Sequence, residues 1–175
     1  MTEEIIIAGF GGQGVLSMGK ILAYSGAMQD KEVSWMPSYG PEMRGGTASC
    51  SVTISDESVG SPIIDNPDVL IVMNLPSLDK YEKTVKKGGV IFVDSTLIGR
   101  KVERNDVKAF YIPATKMAQD MGTPNLANIV LLGKVLKECP EIGMNGMEEA
   151  LKKVVSKHPE MYERNLKAVE AGYNY

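Results

Sequence analysis

The sequence predicts a single-domain α/β fold with a largely parallel, Rossmann-like sheet and helices on both faces. Two observations support this prediction. Apolar runs typical of buried strands alternate with helical patterns along most of the chain. The first run, residues 4–8, leads into a glycine-rich turn that opens a helix, the arrangement of a phosphate-binding strand–turn–helix unit. A length of 175 residues suits one domain, which we assign to residues 1–175.

Each element has its own local signal. Continuous or alternating apolar residues predict strands at 4–8, 32–36, 47–55, 69–73, 90–93 and 110–112. Helices are predicted from apolar residues spaced three to four apart, from prolines in a first turn and from lysines at a helix end. The predicted helices are at 12–28, 76–87, from Thr123-Pro124 onward, at 147–156 and from Pro159 to about 171. Two prolines and three glycines in residues 37–46 predict an irregular loop.

The bulk composition excludes several classes of protein. A net charge of −3 argues against a nucleic-acid-binding surface. No apolar stretch approaches the roughly 18 residues of a membrane helix, and Glu3 and Glu4 are unlike the basic start of a signal peptide. We therefore expect a cytoplasmic protein without a membrane partner. Cys50 and Cys139 lie far apart and outside any C-x-x-C motif, so we expect buried thiols rather than cluster or zinc ligands.

The glycine turn is the first candidate site. Gly9, Gly11 and Gly14 fit G-x-G-x-x-G, and the candidate binding residues are Gly11, Gly12, Gln13 and Gly14. We expect the helix to begin at Gly12 or just after it, with free backbone amides for an anion. The Gln13 amide can bind a ligand or pin a neighbouring loop. A purely structural turn, or one docked to a partner subunit, is the alternative.

The second candidate site is the loop at 37–46. The candidate binding residues in it are Tyr39, Glu42, Arg44, Gly45 and Gly46. They combine an aromatic ring, a carboxylate and a guanidinium, and arginine suits bidentate recognition of phosphate or carboxylate. A solvated loop in which Glu42 and Arg44 pair with each other is the alternative. If the sheet is parallel, both candidate sites lie at the carboxyl edge of the strands.

Familiar catalytic sets are missing from the sequence. We find no nucleophile elbow, P-loop lysine motif or zinc spacing, and we assign no catalytic residue and no metal ligand. The one histidine, His158, precedes Pro159 and fits a solvated cap residue. Asp94-Ser95 follows a buried strand and fits a turn cap better than a ligand contact. NAD binding would require a carboxylate after the second strand, and residues 36–38 offer none.

Two stretches resemble a known family. Gly9-Phe-Gly-Gly-Gln-Gly-Val15 and Ser38-Tyr-Gly-Pro-Glu-Met-Arg-Gly-Gly46 are similar to the gamma subunit of 2-oxoacid:ferredoxin oxidoreductases. Pro67-Asp68, Gly88-Gly89, Pro113-Ala-Thr115 and Asn128 with Leu132-Gly133 extend the similarity over nearly the whole chain. The resemblance implies a subunit of an enzyme that converts a 2-oxoacid, CoA and oxidised ferredoxin to acyl-CoA, CO2 and reduced ferredoxin, in anaerobic metabolism.

The resemblance also implies partners and cofactors. Alpha, beta and delta subunits complete the enzyme, thiamine diphosphate with magnesium lies between alpha and beta, and 4Fe-4S clusters lie on beta and delta. The gamma chain binds none of these alone, and its loops help to form the CoA entrance or subunit contacts. We favour 2-oxoglutarate as substrate, with branched-chain 2-oxoacids or pyruvate as alternatives, and expect the isolated chain to be inactive. An NAD-dependent oxidoreductase domain and a non-catalytic scaffold are the competing functions.

Overall fold

The computed structural model describes residues 1–39 and 47–175, apart from the side chain of Tyr39. Within these ranges six strands form one sheet: β1 (Thr2–Phe10), β2 (Glu32–Tyr39), β3 (Thr47–Ser55), β4 (Val69–Val72), β5 (Val90–Asp94) and β6 (Lys108–Ile112). The α-helices are α1 (Val15–Met28), α2 (Leu75–Tyr81), α3 (Ala114–Asp120), α4 (Ala127–Glu138), α5 (Met147–Val154) and α6 (Tyr162–Tyr173). Short 3-10 helices lie at Glu82–Thr84, Pro124–Leu126, Pro140–Ile142, Met144–Gly146 and Pro159–Met161.

The sheet has the order β2-β3-β1-β4-β5-β6 and is mostly parallel, as the sequence predicts. The strands β1, β4, β5 and β6 pair in parallel, whereas β3 is antiparallel to both β1 and β2. Only β3 therefore runs against the other five strands. The strand that follows α1 is not the neighbour of β1, because β3 lies between them.

The core is divided by the sheet into two layers, as the predicted helices on both faces require. Adjacent residues of β1 alternate: Ile5 and Ile7 pack into one layer and Ile6 into the other. Helices α1, α3, α4, α5 and α6 all contribute to the first layer, whereas Leu78 of α2 contributes to the second. Both apolar sides of β4 are fully covered, which explains its continuous apolar sequence.

Helices α4 and α6 approach each other through two glycines. A Cβ atom added to Gly172 would lie 1.7 Å from the carbonyl oxygen of Val130, and one added to Gly133 would lie 2.1 Å from that of Val169. No real side chain tolerates such distances, so both positions require glycine. The close crossing lets two helices cover the first layer in little space.

Several predicted boundaries are wrong, each for a physical reason. The first helix begins at Val15 and not at Gly12, because Gly12 and Gly14 have φ values of +93° and +77° that a right-handed helix excludes. The irregular loop does not begin at 37, because β2 continues to Tyr39. Pro37 is tolerated there because β2 is an edge strand. The helix predicted over 76–87 is a short α2 followed by a 3-10 helix that ends at Thr84.

Two further differences concern the start of α4 and the presence of α3. The Thr123-Pro124 signal begins a 3-10 helix, and α4 follows only from Ala127. The Thr123 hydroxyl makes no capping hydrogen bond there. Helix α3 was not predicted at all. Its seven residues, Ala-Thr-Lys-Met-Ala-Gln-Asp, are too few to establish an apolar period.

Candidate functional site

One edge of the sheet collects the segments that the sequence singles out. Because five strands run in the same direction, the carboxyl ends of β1, β4, β5 and β6 meet at this edge, which we call the carboxyl edge. The end of β2 and the start of β3 lie there too, since Tyr39 pairs with Ala48 and Phe10 with Thr47. The two flanks of the predicted loop therefore end beside the glycine turn. Such an edge is where open α/β sheets bind ligands.

The glycine turn leaves the start of α1 uncapped. Gly14 is the N-cap residue in a left-handed conformation, and in the described part of the chain no side chain bonds the first-turn amides of α1. The first turn also has no acidic residue to balance the positive end of the helix dipole. Gly12 and Ser17 are exposed on either side of Gly14. An anion at this end would meet unpaired N–H groups and a favourable dipole.

Gln13 braces the turn from within. Its Oε1 accepts a hydrogen bond from the Phe10 amide at 2.6 Å, and its Nε2 donates to the carbonyl of Met73 at 3.0 Å. The side chain thus joins the ends of β1 and β4. These two hydrogen bonds are the contacts that the pinning role requires. A Cβ at Gly9 would lie 2.5 Å from Oε1, so a larger residue there would displace the Gln13 side chain from these bonds.

Asn128 holds the same turn from the other side. This residue of α4 is 5% exposed, and its Nδ2 donates to the carbonyl of Gly14 at 3.0 Å. Its Oδ1 is buried and has no hydrogen-bond partner among residues 1–39 and 47–175. A Cβ on Gly14 would lie 2.3 Å from Nδ2, so the close approach of α4 and the positive φ both require glycine.

Asn74 and α2 extend the site along the carboxyl edge. Asn74 follows β4, is 2% exposed, and its Oδ1 accepts a hydrogen bond from the Ser77 amide at 2.9 Å as the N-cap of α2. Its Nδ2 has no partner within the described ranges. Asn74 is not among the residues predicted from the sequence. The signal was present as an asparagine two residues before Pro76.

Asp94 has the capping role that the sequence favoured. Its fully buried carboxylate accepts hydrogen bonds from the Thr115 hydroxyl at 2.6 Å and from the Thr96 amide at 3.2 Å. These contacts fix the turn after β5 against the start of α3. With its oxygens engaged in this way, Asp94 is a structural part of the carboxyl edge.

The remaining predicted residues have different outcomes. Glu42, Arg44, Gly45 and Gly46 lie outside the described residues, and only the backbone of Tyr39 is described. Both cysteines are buried, and desolvation raises the pKa of each thiol to about 12. The imidazole of His158 is 76% exposed and makes no capping hydrogen bond.

The described part of the chain contains neither a metal-site cluster nor a membrane-spanning helix. Among these residues, no cluster of three or more His, Cys, Asp or Glu side chains has the arrangement of a metal site. Over the same ranges, none of the helices combines the length and the hydropathy that a bilayer crossing needs.

A family model decides the family of the chain. The model described as pyruvate ferredoxin/flavodoxin oxidoreductase matches residues 4–175. The chain belongs to this family. Subunit VorA of ketoisovalerate oxidoreductase from Methanothermobacter thermautotrophicus is 44% identical over 174 residues, which are 97% of this chain and 35% of VorA. Subunit KorC of 2-oxoglutarate synthase from Methanocaldococcus jannaschii is 39% identical over 99% of this chain and 93% of KorC.

Solved structures agree with this assignment. The gamma subunit of a keto/oxoacid ferredoxin oxidoreductase from Geobacter sulfurreducens superposes with a TM-score of 0.85 at 33% identity, over 99% of this chain and 95% of that subunit. The 2-oxoglutarate:ferredoxin oxidoreductase from Magnetococcus marinus, bound to 2-oxoglutarate, coenzyme A and succinyl-CoA, superposes with a TM-score of 0.88 at 26% identity. The match covers 99% of this chain and 30% of that one. The chain spans only about a third of the length of VorA and of the Magnetococcus protein.

Proposed function

We propose that this chain is the gamma subunit of a 2-oxoacid:ferredoxin oxidoreductase in the cytoplasm, and that its carboxyl edge forms part of the CoA site. The observation that supports this most is the full-length likeness to a separate gamma subunit, combined with an uncapped helix start at the edge. Catalysis requires the alpha, beta and delta partners. Thiamine diphosphate, magnesium and the 4Fe-4S clusters that serve the reaction belong to those partners.

The substrate that we favour is 2-oxoglutarate. KorC from two genera, at 39% and 35% identity, matches this chain over 93% and 95% of the KorC length, whereas VorA is much longer. Ketoisovalerate is the second candidate, because VorA has the higher identity of 44%. Rates of the assembled enzyme with 2-oxoglutarate, 2-oxoisovalerate and pyruvate distinguish these substrates. A rate with 2-oxoisovalerate well above that with 2-oxoglutarate would contradict the preference.

The NAD alternative is disfavoured by the sheet order. A dinucleotide-binding unit places the strand after the first helix beside the first strand, so that a carboxylate at its end reaches the ribose. Here β3 separates β2 from β1, and β2 ends in Ser38 and Tyr39. A subunit contact at the same edge is the other alternative to CoA, and the following experiment separates it from CoA binding.

The experiment places a negative charge at the start of α1. Ser17 is exposed at the third helical position, where a carboxylate interacts favourably with the first-turn amides. Ser17→Asp should therefore stabilise the fold by about 0.3–1 kcal/mol, and it should repel a CoA phosphate from the same amides. We expect the KM for CoA of the assembled enzyme to rise roughly 3- to 10-fold, with an unchanged KM for the 2-oxoacid.

Ser17→Asn is the matched control, since it has nearly the same shape and no charge. A KM for CoA that is equal in the Asp and Asn variants would contradict a phosphate at this helix start. Loss of co-purification with the partner subunits in the Asp variant alone would favour the subunit-contact alternative.

A further inference from the structure

A small cavity beside the glycine turn has the chemistry of a phosphate subsite. Its volume is about 110 Å3, below the roughly 300 Å3 at which sites for whole ligands begin, so it suits one group of a larger molecule. Hydroxyl groups dominate its lining, and none of the lining residues that the structure describes carries a carboxylate. The polar lining includes Ser38, Ser49, Ser77, Lys80 and Tyr81.

Ser77, a buried residue, forms the floor of the cavity. Ser77 is 2% exposed and lines the cavity, and the structure gives its side chain no hydrogen bond to residues 1–39 or 47–175. Its amide is bonded to Asn74, so the hydroxyl is held in place. The Ser77 hydroxyl can donate a hydrogen bond to a phosphate oxygen in the cavity.

Lys80 supplies the positive charge at this cavity. Its Nζ lies 5.1 Å from the ring centroid of Tyr81, and the Tyr81 hydroxyl lies 3.4 Å from that of Ser49. The nearest acidic neighbours along the chain, Asp79 and Glu82, both pair with Arg100 at 2.8 Å. In the part of the chain that the structure describes, Lys80 has no ion pair of its own. A lysine beside donor hydroxyls binds phosphate as a point charge.

The cavity and the glycine turn are joined rigidly. Gln13 bonds the carbonyl of Met73, and the next residue, Asn74, bonds the amide of Ser77. The glycine turn and the cavity floor are thus linked through the consecutive residues Met73 and Asn74, the first bonded to Gln13 and the second to Ser77. Both sites also lie at the ends of neighbouring strands, β1 and β3.

We propose that Lys80, Ser77 and the surrounding hydroxyls bind one phosphate group of CoA. This inference rests on the proposed function, because CoA is the phosphate-bearing substrate of that reaction. CoA offers two sources, the pyrophosphate and the phosphate monoester on the ribose. The chemistry is the same for both, and the experiment distinguishes them.

The test compares Lys80→Gln, Lys80→Arg and Ser77→Ala in the assembled enzyme. Lys80→Gln should raise the KM for CoA roughly 10-fold, and Ser77→Ala should raise it roughly 2- to 5-fold. Lys80→Arg keeps the charge and should stay near the wild type. Lys83→Gln is the control, because Lys83 is exposed nearby on the same segment and lines a different cavity. The melting temperature of all four variants should stay near that of the wild type.

Dephospho-CoA, which lacks the ribose monoester, identifies the phosphate. If the effect of Lys80→Gln disappears with dephospho-CoA, the cavity binds the monoester; if it persists, the cavity binds the pyrophosphate. Equal KM values for CoA in the Lys80→Gln and Lys83→Gln variants would overturn the inference. If those two KM values are equal, a raised KM for CoA in the Ser17→Asp variant would still support the proposed CoA site at the start of α1. An unchanged KM for CoA in that variant would contradict the proposed CoA site as well as the phosphate subsite.

Discussion

Replacing Gln13 with methionine should destabilise the fold by about 1–2 kcal/mol. Methionine has a similar length but cannot accept the hydrogen bond from Phe10 or donate the one to Met73. A protein hydrogen bond contributes a net 0.5–1.5 kcal/mol or so. The bond to Phe10 is exposed, and water can replace it in part, so it belongs near the lower end of that range. The bond to Met73 is partly buried and belongs nearer the middle.

The assay is thermal unfolding of the purified chain, monitored by calorimetry. For a chain of this length, 1 kcal/mol corresponds to roughly 2–4 °C, so the melting temperature should fall by about 2–8 °C. Gln119→Met is the matched control. Gln119 is exposed on α3, and the structure gives its side chain no hydrogen bond to the described residues, so that variant should unfold like the wild type.

The KM for CoA of the Gln13→Met variant distinguishes a structural role of Gln13 from a direct contact with the ligand. If Gln13 only braces the turn, it affects CoA binding only through the shape of the turn. A higher KM for CoA should then accompany the lower melting temperature. A variant whose melting temperature stays within about 1 °C of the wild type, while its KM for CoA rises clearly, would refute the brace. Gln13 would then contact the ligand directly.

Two further predictions concern the fold alone. Gly172→Ala should destabilise the protein by about 2 kcal/mol or more in urea unfolding, since the new Cβ would lie 1.7 Å from the Val130 carbonyl and the helix-propensity gain of about 1 kcal/mol is too small to compensate. Gly99→Ala, which meets nothing within 4 Å, should be neutral, and a similar loss there would contradict the argument. The thiols of Cys50 and Cys139, with pKa values near 12, should not react with a thiol reagent at about pH 8 until the protein unfolds. Because the unfolded thiols ionise first, stability should fall as the pH rises above 9.0, by up to about 1.4 kcal/mol per pH unit for each thiol, and a double alanine variant should lack this slope.

The sequence predicted those elements whose signal is local. The strand at 47–55 has the predicted boundaries, because the alternation of small polar and apolar residues that predicted it runs over its whole length. The apolar runs at β4 and β5 were equally clear. Helix α1 was placed three residues early, because the periodicity of its face does not reveal the backbone dihedral angles of Gly12 and Gly14.

What the sequence could not reveal depends on distant partners. The position of β3 between β1 and β2 follows from strand pairing over about fifty residues of chain, for which there is no local signal. Gln13 was singled out as part of the glycine turn, but its role depends on the carbonyl of Met73. The Lys80 cavity was missed because its lining comes from β2, β3 and α2 together.

The two bonds that hold the glycine turn also constrain when it can form. Gln13 is 60 residues from Met73, and Asn128 is 114 residues from Gly14. A nascent chain therefore emerges from the ribosome with the turn sequence complete long before either partner has been synthesised. Until α4 docks, the Gly14 carbonyl has only its bond from the Met18 amide within α1, so the turn gains its contacts to distant residues only when the whole domain folds. An amino-terminal fragment that ends before Met73 therefore lacks both of the distant contacts that hold the turn in the complete fold.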